Sequence, residues 1–353
     1  MAKHEDISQA LIREGGIADI LNDYSPHFAD NVAEILKDNK DKQIPPNIFH
    51  AVISSQFDAD RLDYMQRDRL MTGVRSSYVD MEWLFANLEV GEIKVEQDGE
   101  SLGTAQTLVL SPKAQHTAEN YIFSLFHLYP NVYLHKTTRG FEMLFQALMR
   151  RLVCLVRAGK MGDTGLIEQN PLIEFIKEPD KQEHVLSLDD NVLWSSLPFL
   201  VQAKDKYVKK CALDLMIRRP LRAIDIRLKV EAALEQKKQG NDIEEGSQIV
   251  DRICKNIVEK IKVGQGEDSE HCILCDSYSR SVYKKALIDE RSAHLNQILI
   301  RKNGSIRDLR DVSPAIHYAE SYKICRAYVF RDDREQKYTK KVEDIIAEEV
   351  KNA

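Results

Sequence analysis

Apolar residues along this 353-residue chain recur mostly at helical spacing. Side chains three and four positions apart share one face of a helix, so such stripes mark the faces that bury. The clearest stripe runs through Phe141, Leu144, Phe145, Leu148, Leu152 and Leu155. It predicts a helix over 132–158 that ends before Gly159, and the stripe reads as core. A helix over 113–129 precedes it, the two separated by Pro130. Near the start, Ile7, Leu11, Ile17 and Leu21 predict a helix over 7–22 with one apolar face. Further helical patterns cover 30–39, 46–75, 189–238, 249–263 and 344–350, with Pro46 in a first turn that suits proline.

Elsewhere the period changes. Ile93-Lys94-Val95-Glu96 alternates, Asp98-Gly99 is a turn signal, and Thr107-Leu108-Val109-Leu110 follows, predicting a β-hairpin over about 88–110. Gln297-Ile298-Leu299-Ile300, ahead of a Lys302-Asn303-Gly304 turn, and the run 323–330 read as strands. The pattern is that of a mostly α chain: a helical core over 1–205 with the inserted hairpin, then a helical and α/β region over 206–353.

Composition narrows the class. At 43% hydrophobic and 30% charged residues the chain reads as globular, with enough length for a sizeable core. Neither a long apolar run nor an apolar leader is present, so no membrane segment is expected, and the cysteines, mostly isolated in apolar patterns as buried thiols are, make the compartment read as cytoplasmic. A formal charge of -6 gives no general attraction for nucleic acid. Of six cysteines, only Cys272 and Cys275 have metal-ligand spacing, and no second Cys/His pair completes four ligands. The cluster Arg218-Arg219-Pro220-Leu221-Arg222 reads as a solvated or intersubunit basic patch.

Candidate chemistry concentrates in 54–74. Asp60, Tyr64 and Asp68 are four apart, so a carboxylate, a phenol and a second carboxylate line one side of a helix. Such a stripe suits a metal and a sugar hydroxyl; a solvated face with an ordinary Asp63–Arg67 ion pair is the plainer account. A second constellation lies at 127–139. There Tyr133, Lys136 and Arg139 follow at spacings of three, and cations so grouped suit a polyphosphate or a basic surface patch.

The stretch 57–74, Phe-Asp-Ala-Asp-Arg-Leu-Asp-Tyr-Met-Gln-Arg-Asp-Arg-Leu-Met-Thr-Gly-Val, closely resembles the last metal motif of the HD-domain phosphohydrolases. The similar branch is that of the dGTPase-like deoxynucleoside triphosphate triphosphohydrolases. The run Tyr133-Leu134-His135-Lys136 resembles a second motif of that branch, and 297–330 resembles its C-terminal α/β region. The resemblance implies an HD-domain-like helical bundle, with Asp60 as a ligand of a divalent metal (Mg, Mn, Fe, Co or Ni) and Arg61 on a phosphate. It further implies Tyr64 and Asp68 near the sugar, Tyr133 lining the nucleotide pocket, and His135 and Lys136 in that pocket or at a nucleotide-regulated subunit contact. Arg139 joins the triphosphate cations, and His4, in His4-Glu5, matches a histidine of the active-site pocket.

In that family a His and a His-Asp dipeptide supply the other three ligands, and no His-Asp dipeptide occurs in this chain. The expectation is that these ligands lie on a missing N-terminal part, come from another polypeptide, or have been lost. With the metal complete, the implied reaction is attack of metal-activated hydroxide on the α-phosphorus, releasing deoxynucleoside and triphosphate. With it incomplete, the chain is expected to be inactive alone, and to be an oligomer or bound to a partner chain. A degenerate, non-catalytic nucleotide-binding or regulatory subunit is the alternative.

Overall fold

The computed structural model describes residues 4–36, 48–75, 78–97, 100–237, 243–264, 272–283 and 296–352. The fold is mostly α with two small sheets, in agreement with the sequence pattern. The first stretch comprises α1 (His4–Arg13), α2 (Gly16–Tyr24), α3 (Phe28–Ile35), α4 (Ile48–Ile53), α5 (Ala59–Thr72), α6 (Met81–Ala86), β1 (Leu88–Gln97), β2 (Glu100–Leu110) and α7 (Gln115–Leu128). A π turn, Tyr129–Tyr133, leads into α8 (Lys136–Arg157), followed by α9 (Pro171–Lys177), α10 (Gln182–Leu186), α11 (Asp190–Leu200) and α12 (Lys206–Met216). Then come β3 (Arg222–Asp225), α13 (Ile226–Lys237), α14 (Ile243–Val263), β4 (Ile273–Arg280), β5 (Leu299–Lys302), β6 (Ser305–Asp308), α15 (Leu309–Val312), α16 (Pro314–His317), β7 (Tyr322–Val329) and α17 (Glu335–Asn352). Among the described residues, no helix is long and apolar enough to cross a membrane.

The chain forms two compact units, Met1–Val132 with Arg280–Tyr322, and Tyr133–Ser279 with Lys323–Ala353. The units do not part at 205/206, where the sequence pattern divides the chain. The reason is a shared core: Leu144, Leu148 and Leu152 of α8 bury with Val208 and Cys211 of α12 and with Tyr328 of β7.

In the first unit the hairpin forms where the alternation predicts it, with Leu88 opposite Leu110 and a register shift at Val95/Glu96. β2 then runs parallel to β5, and β5 turns antiparallel into β6, giving the order β1-β2-β5-β6. That β5–β6 turn places Asn303 and Gly304 at φ 51° and 77°, a backbone that suits these two residue types. Gly91 is required by packing, since a Cβ there would meet Val109 Cγ2 at 2.6 Å.

Two helical expectations need correction. The helix predicted over 7–22 breaks into α1 and α2 at Gly15, whose φ of 72° ends the first and admits the second. The apolar face therefore splits: Ile17 is exposed, while Ile7, Leu11 and Leu21 are half-buried. The helix predicted over 46–75 is likewise two, because Ser55 and Asp58 turn the chain between α4 and α5.

The second unit is a three-layer arrangement built on the sheet β3-β7-β4. Successive strand residues point to opposite faces. On β4 and β7, Leu274 and Tyr328 face the helices α8 and α12, whereas Ile273, Cys325, Ala327 and Val329 face α13, α14 and α17. Both faces are covered, so neither strand alternates apolar with polar. β3 and β4 were not anticipated: 189–238 reads as helical throughout, and β4 is hidden behind the Cys272/Cys275 spacing.

Candidate functional site

The N-terminus of α5 is assembled from local turn chemistry. Ser55 Oγ accepts the Phe57 N–H at 3.0 Å, directing the chain into Asp58. Asp58 has an extended backbone and caps the helix, its carboxylate accepting the Arg61 N–H at 2.8 Å. The same carboxylate lies 3.4 Å from Arg61 Nε. Burial pushes the Asp58 carboxyl above its usual range, against the opposing pull of the Arg61 backbone bond and charge. Leu62 and Met65 anchor the opposite face in the core, and Gly73 at φ 73° closes the helix in a left-handed cap.

This fixes what the helix presents. Asp60 stands exposed in the first turn, beside the positive end of the helix dipole. One turn on, Tyr64 is half-buried and its phenol is pushed up to about 12, chiefly by burial. Tyr129, Arg61, Arg280 and Asp58 all act electrostatically on that phenol. Behind it, the buried Tyr121 donates its hydroxyl to the Gln56 carbonyl at 2.9 Å and meets the Phe57 ring edge-on. Arg280 lies over the Tyr129 ring at 4.3 Å. Two cations, three phenols and one buried carboxylate thus form a single electrostatic cluster in the first unit. Asp68, a turn beyond Tyr64, is half-exposed.

Of the residues singled out from the sequence, Asp60, Arg61, Tyr64 and Asp68 come together on α5. Asp63 and Arg67 form the ordinary exposed ion pair, at 2.8 Å. His4 begins α1, but its side chain lies outside the described residues. In the second unit, His135 is exposed and caps α8, its Nδ1 accepting the Thr137 N–H, and Lys136 is exposed beside it. Tyr133 is half-buried at the end of the π turn.

Arg139 requires a correction. Its guanidinium forks onto Asp276 at 2.9 and 2.5 Å, also pairs with Glu142, and lies 5.7 Å from the Tyr278 ring. That side chain is an internal tie between α8 and β4, and its charge is already answered. Sequence spacing could not show this, because the partner lies 137 residues away.

The residues missed from the sequence are Tyr121, Tyr129 and Arg280. Tyr121 reads as one more apolar position of α7, and Arg280 belongs to a strand that gave no signal. Among the described residues, no group of three or more His, Cys, Asp or Glu side chains is arranged to hold a metal ion. Among the described residues Asp60 is then a single candidate ligand.

The raised Asp58 carboxyl has a thermodynamic consequence. A proton binds the folded chain more tightly here, so the stabilising contribution is complete below the ordinary carboxyl range and is lost as pH rises through the folded value. Asp58→Asn keeps the capping oxygen and removes the cost of a buried charge. It is expected to match or exceed wild-type stability at neutral pH, whereas Asp58→Ala loses about 1–2 kcal/mol. Urea unfolding at neutral and acidic pH checks this; an Asn variant as weak as the Ala variant at neutral pH would refute the burial argument.

No family model matches the chain. Among curated proteins it is 29% identical over 195 residues to the uncharacterized protein YwfO of Bacillus subtilis. That alignment covers 54% of this chain and 40% of the relative. It is 25% identical over 216 residues to the uncharacterized protein MG461 homolog of Mycoplasma pneumoniae, covering 59% of this chain and 48% of that protein. The chain therefore spans less than half the length of the curated relatives it matches. Among solved structures, a phosphohydrolase from Bacteroides thetaiotaomicron superposes with a TM-score of 0.61 at 21% identity, over 94% of this chain and 73% of that one. A hypothetical protein from Aquifex aeolicus gives a TM-score of 0.57 at 19% identity, over 98% and 72%. At such identities the likeness is one of fold, and the fold is one that a phosphohydrolase uses.

Proposed function

We propose that this chain forms the nucleotide-binding side of a metal-dependent phosphohydrolase that cleaves deoxynucleoside triphosphates to deoxynucleoside and triphosphate. One observation carries the reading. A buried cap residue, Asp58, holds Arg61 beside an exposed Asp60, with Tyr64 a turn further along the same helix. Arg61 and Arg280 supply the positive charge that a polyphosphate needs, and guanidinium groups bind phosphate oxygens in pairs. In this reading the protonated Tyr64 phenol and the Asp68 carboxylate hydrogen-bond a sugar, which is how a site comes to prefer one hydroxyl pattern. Asp60 would give one carboxylate to a divalent ion. Lys136 and His135, exposed at the start of α8, are assigned to a nucleotide or to a subunit contact.

Product analysis tests the proposal. The complete assembly is incubated with each nucleoside triphosphate and Mg, Mn or Co, and the products are resolved by chromatography. Deoxynucleoside with intact triphosphate is the expected pair. Inorganic phosphate or a monophosphate would place the protein with a different phosphohydrolase.

That Asp60 is a single candidate ligand among the described residues favours a second reading, a non-catalytic subunit that binds nucleotide and assembles with a complete homologue. Metal analysis of the purified chain separates the two, since a stoichiometric ion on the chain alone argues against the second.

A further inference from the structure

Two thiols meet inside the second unit. Cys325 lies on β7 with its side chain on the face covered by α14, and Cys254 comes from α14 itself. The Cys325 sulfur is 4.0 Å from the Cys254 carbonyl oxygen, and Ser277 Oγ donates to it at 3.7 Å. Both thiols line a cavity of about 610 Å³ whose walls also carry the carboxylates Asp251 and Glu259 and the cations Lys262, Arg227 and Lys323, the last two paired with Asp251. Hydrogen peroxide is little larger than water, so the volume is ample for it.

We propose that Cys254 and Cys325 are a peroxide-oxidisable dithiol, which closes to a disulfide and pins α14 to the sheet. The two thiols have unequal roles. A hydrogen bond from the Cys254 thiol, with help from Ser277, holds the Cys325 thiol below its ordinary range, while the same bond and burial push the Cys254 thiol up. Cys325, which has the Ser277 hydroxyl and Cys254 beside its sulfur, is assigned to attack as the thiolate. Its sulfur takes one oxygen of hydrogen peroxide, the O–O bond breaks, and hydroxide leaves. Cys254 then loses its proton and attacks the Cys325 sulfenic acid; the S–O bond breaks, the S–S bond forms and water departs. In sum, two thiols lose two hydrogens and one peroxide becomes two waters.

The other cysteines serve as references. Cys275 neighbours Cys325, but burial pushes its thiol up to about 12. Cys272 lies against Arg334, and Cys154 is exposed.

Peroxide treatment of the full chain, followed by alkylation, digestion and mass spectrometry, tests the proposal. A Cys254–Cys325 cross-linked peptide that disappears with dithiothreitol is expected as the main oxidised species. Cys254→Ser is expected to stall Cys325 at the sulfenic acid and raise its capture by dimedone about tenfold. Circular dichroism verifies that the variant folds. Recovery of both cysteines as free thiols while Cys154 is oxidised would overturn the proposal. A dominant Cys275–Cys325 pair would overturn the assignment of Cys254.

Discussion

Asp60→Ala is expected to abolish metal-dependent triphosphate hydrolysis by the complete assembly while leaving the fold intact. Both halves of that outcome follow from position. Asp60 is exposed, the cap belongs to Asp58, and alanine is the best helix former, so only a charge–dipole contribution of about 0.3–1 kcal/mol is lost. A carboxylate that touches the metal has no such substitute. Loss of an outer-shell partner typically costs about 10–100-fold, and removing a ligand is expected to exceed that. Thermal unfolding and turnover, measured on the same preparation, check the two halves separately. Wild-type turnover in the variant would remove Asp60 from the site.

Asp276→Ala is expected to destabilise the second unit by about 2–3 kcal/mol, the cost of losing a charge-assisted hydrogen-bonded fork whose guanidinium is part-buried and keeps Glu142 as a partner. Asp276 is 3% exposed and holds the Arg139 fork against β4. Without it, Glu142 and the Tyr278 ring remain near the guanidinium but replace little of the bidentate bond. Replacing both partners by apolar residues of similar volume is expected to recover most of the loss, since it is the stranded charge that costs. Urea unfolding of the two single variants and the double variant measures the coupling. A single variant as stable as wild type would show that Arg139 is not an internal tie.

How much of this was legible in the sequence depended on whether a signal was local. The hairpin was, because Ile93-Lys94-Val95-Glu96 alternates, while the turn signal Asp98-Gly99 lies outside the described residues. So was α8, whose apolar stripe buries Leu144, Leu148, Leu152 and Leu155 as the spacing predicts. Strand β4 was not, since it is covered on both faces and its apolar Leu274 sits between residues that face the other way. Strand β3 is only four residues long and lies between two helices. At the candidate site, Asp60, Arg61, Tyr64 and Asp68 were visible together because one helix carries them. Tyr121, Tyr129 and Arg280 reach the cluster only through the fold. Arg139 shares the spacing of a phosphate-binding residue, yet its employment is decided by Asp276.

The central claim is that the start of α5 binds the phosphates of a nucleotide. Calorimetric titration of a deoxynucleoside triphosphate into the full chain, with manganese present, tests it most directly. Arg61 is the residue to vary, because Asp58 caps α5 through the Arg61 backbone N–H and not its side chain. Saturable one-to-one binding is predicted, weakened about tenfold or more in Arg61→Ala, as expected for a lost charge-assisted hydrogen bond. Equal affinity in wild type and Arg61→Ala, or no saturable binding to the wild-type chain, would contradict it.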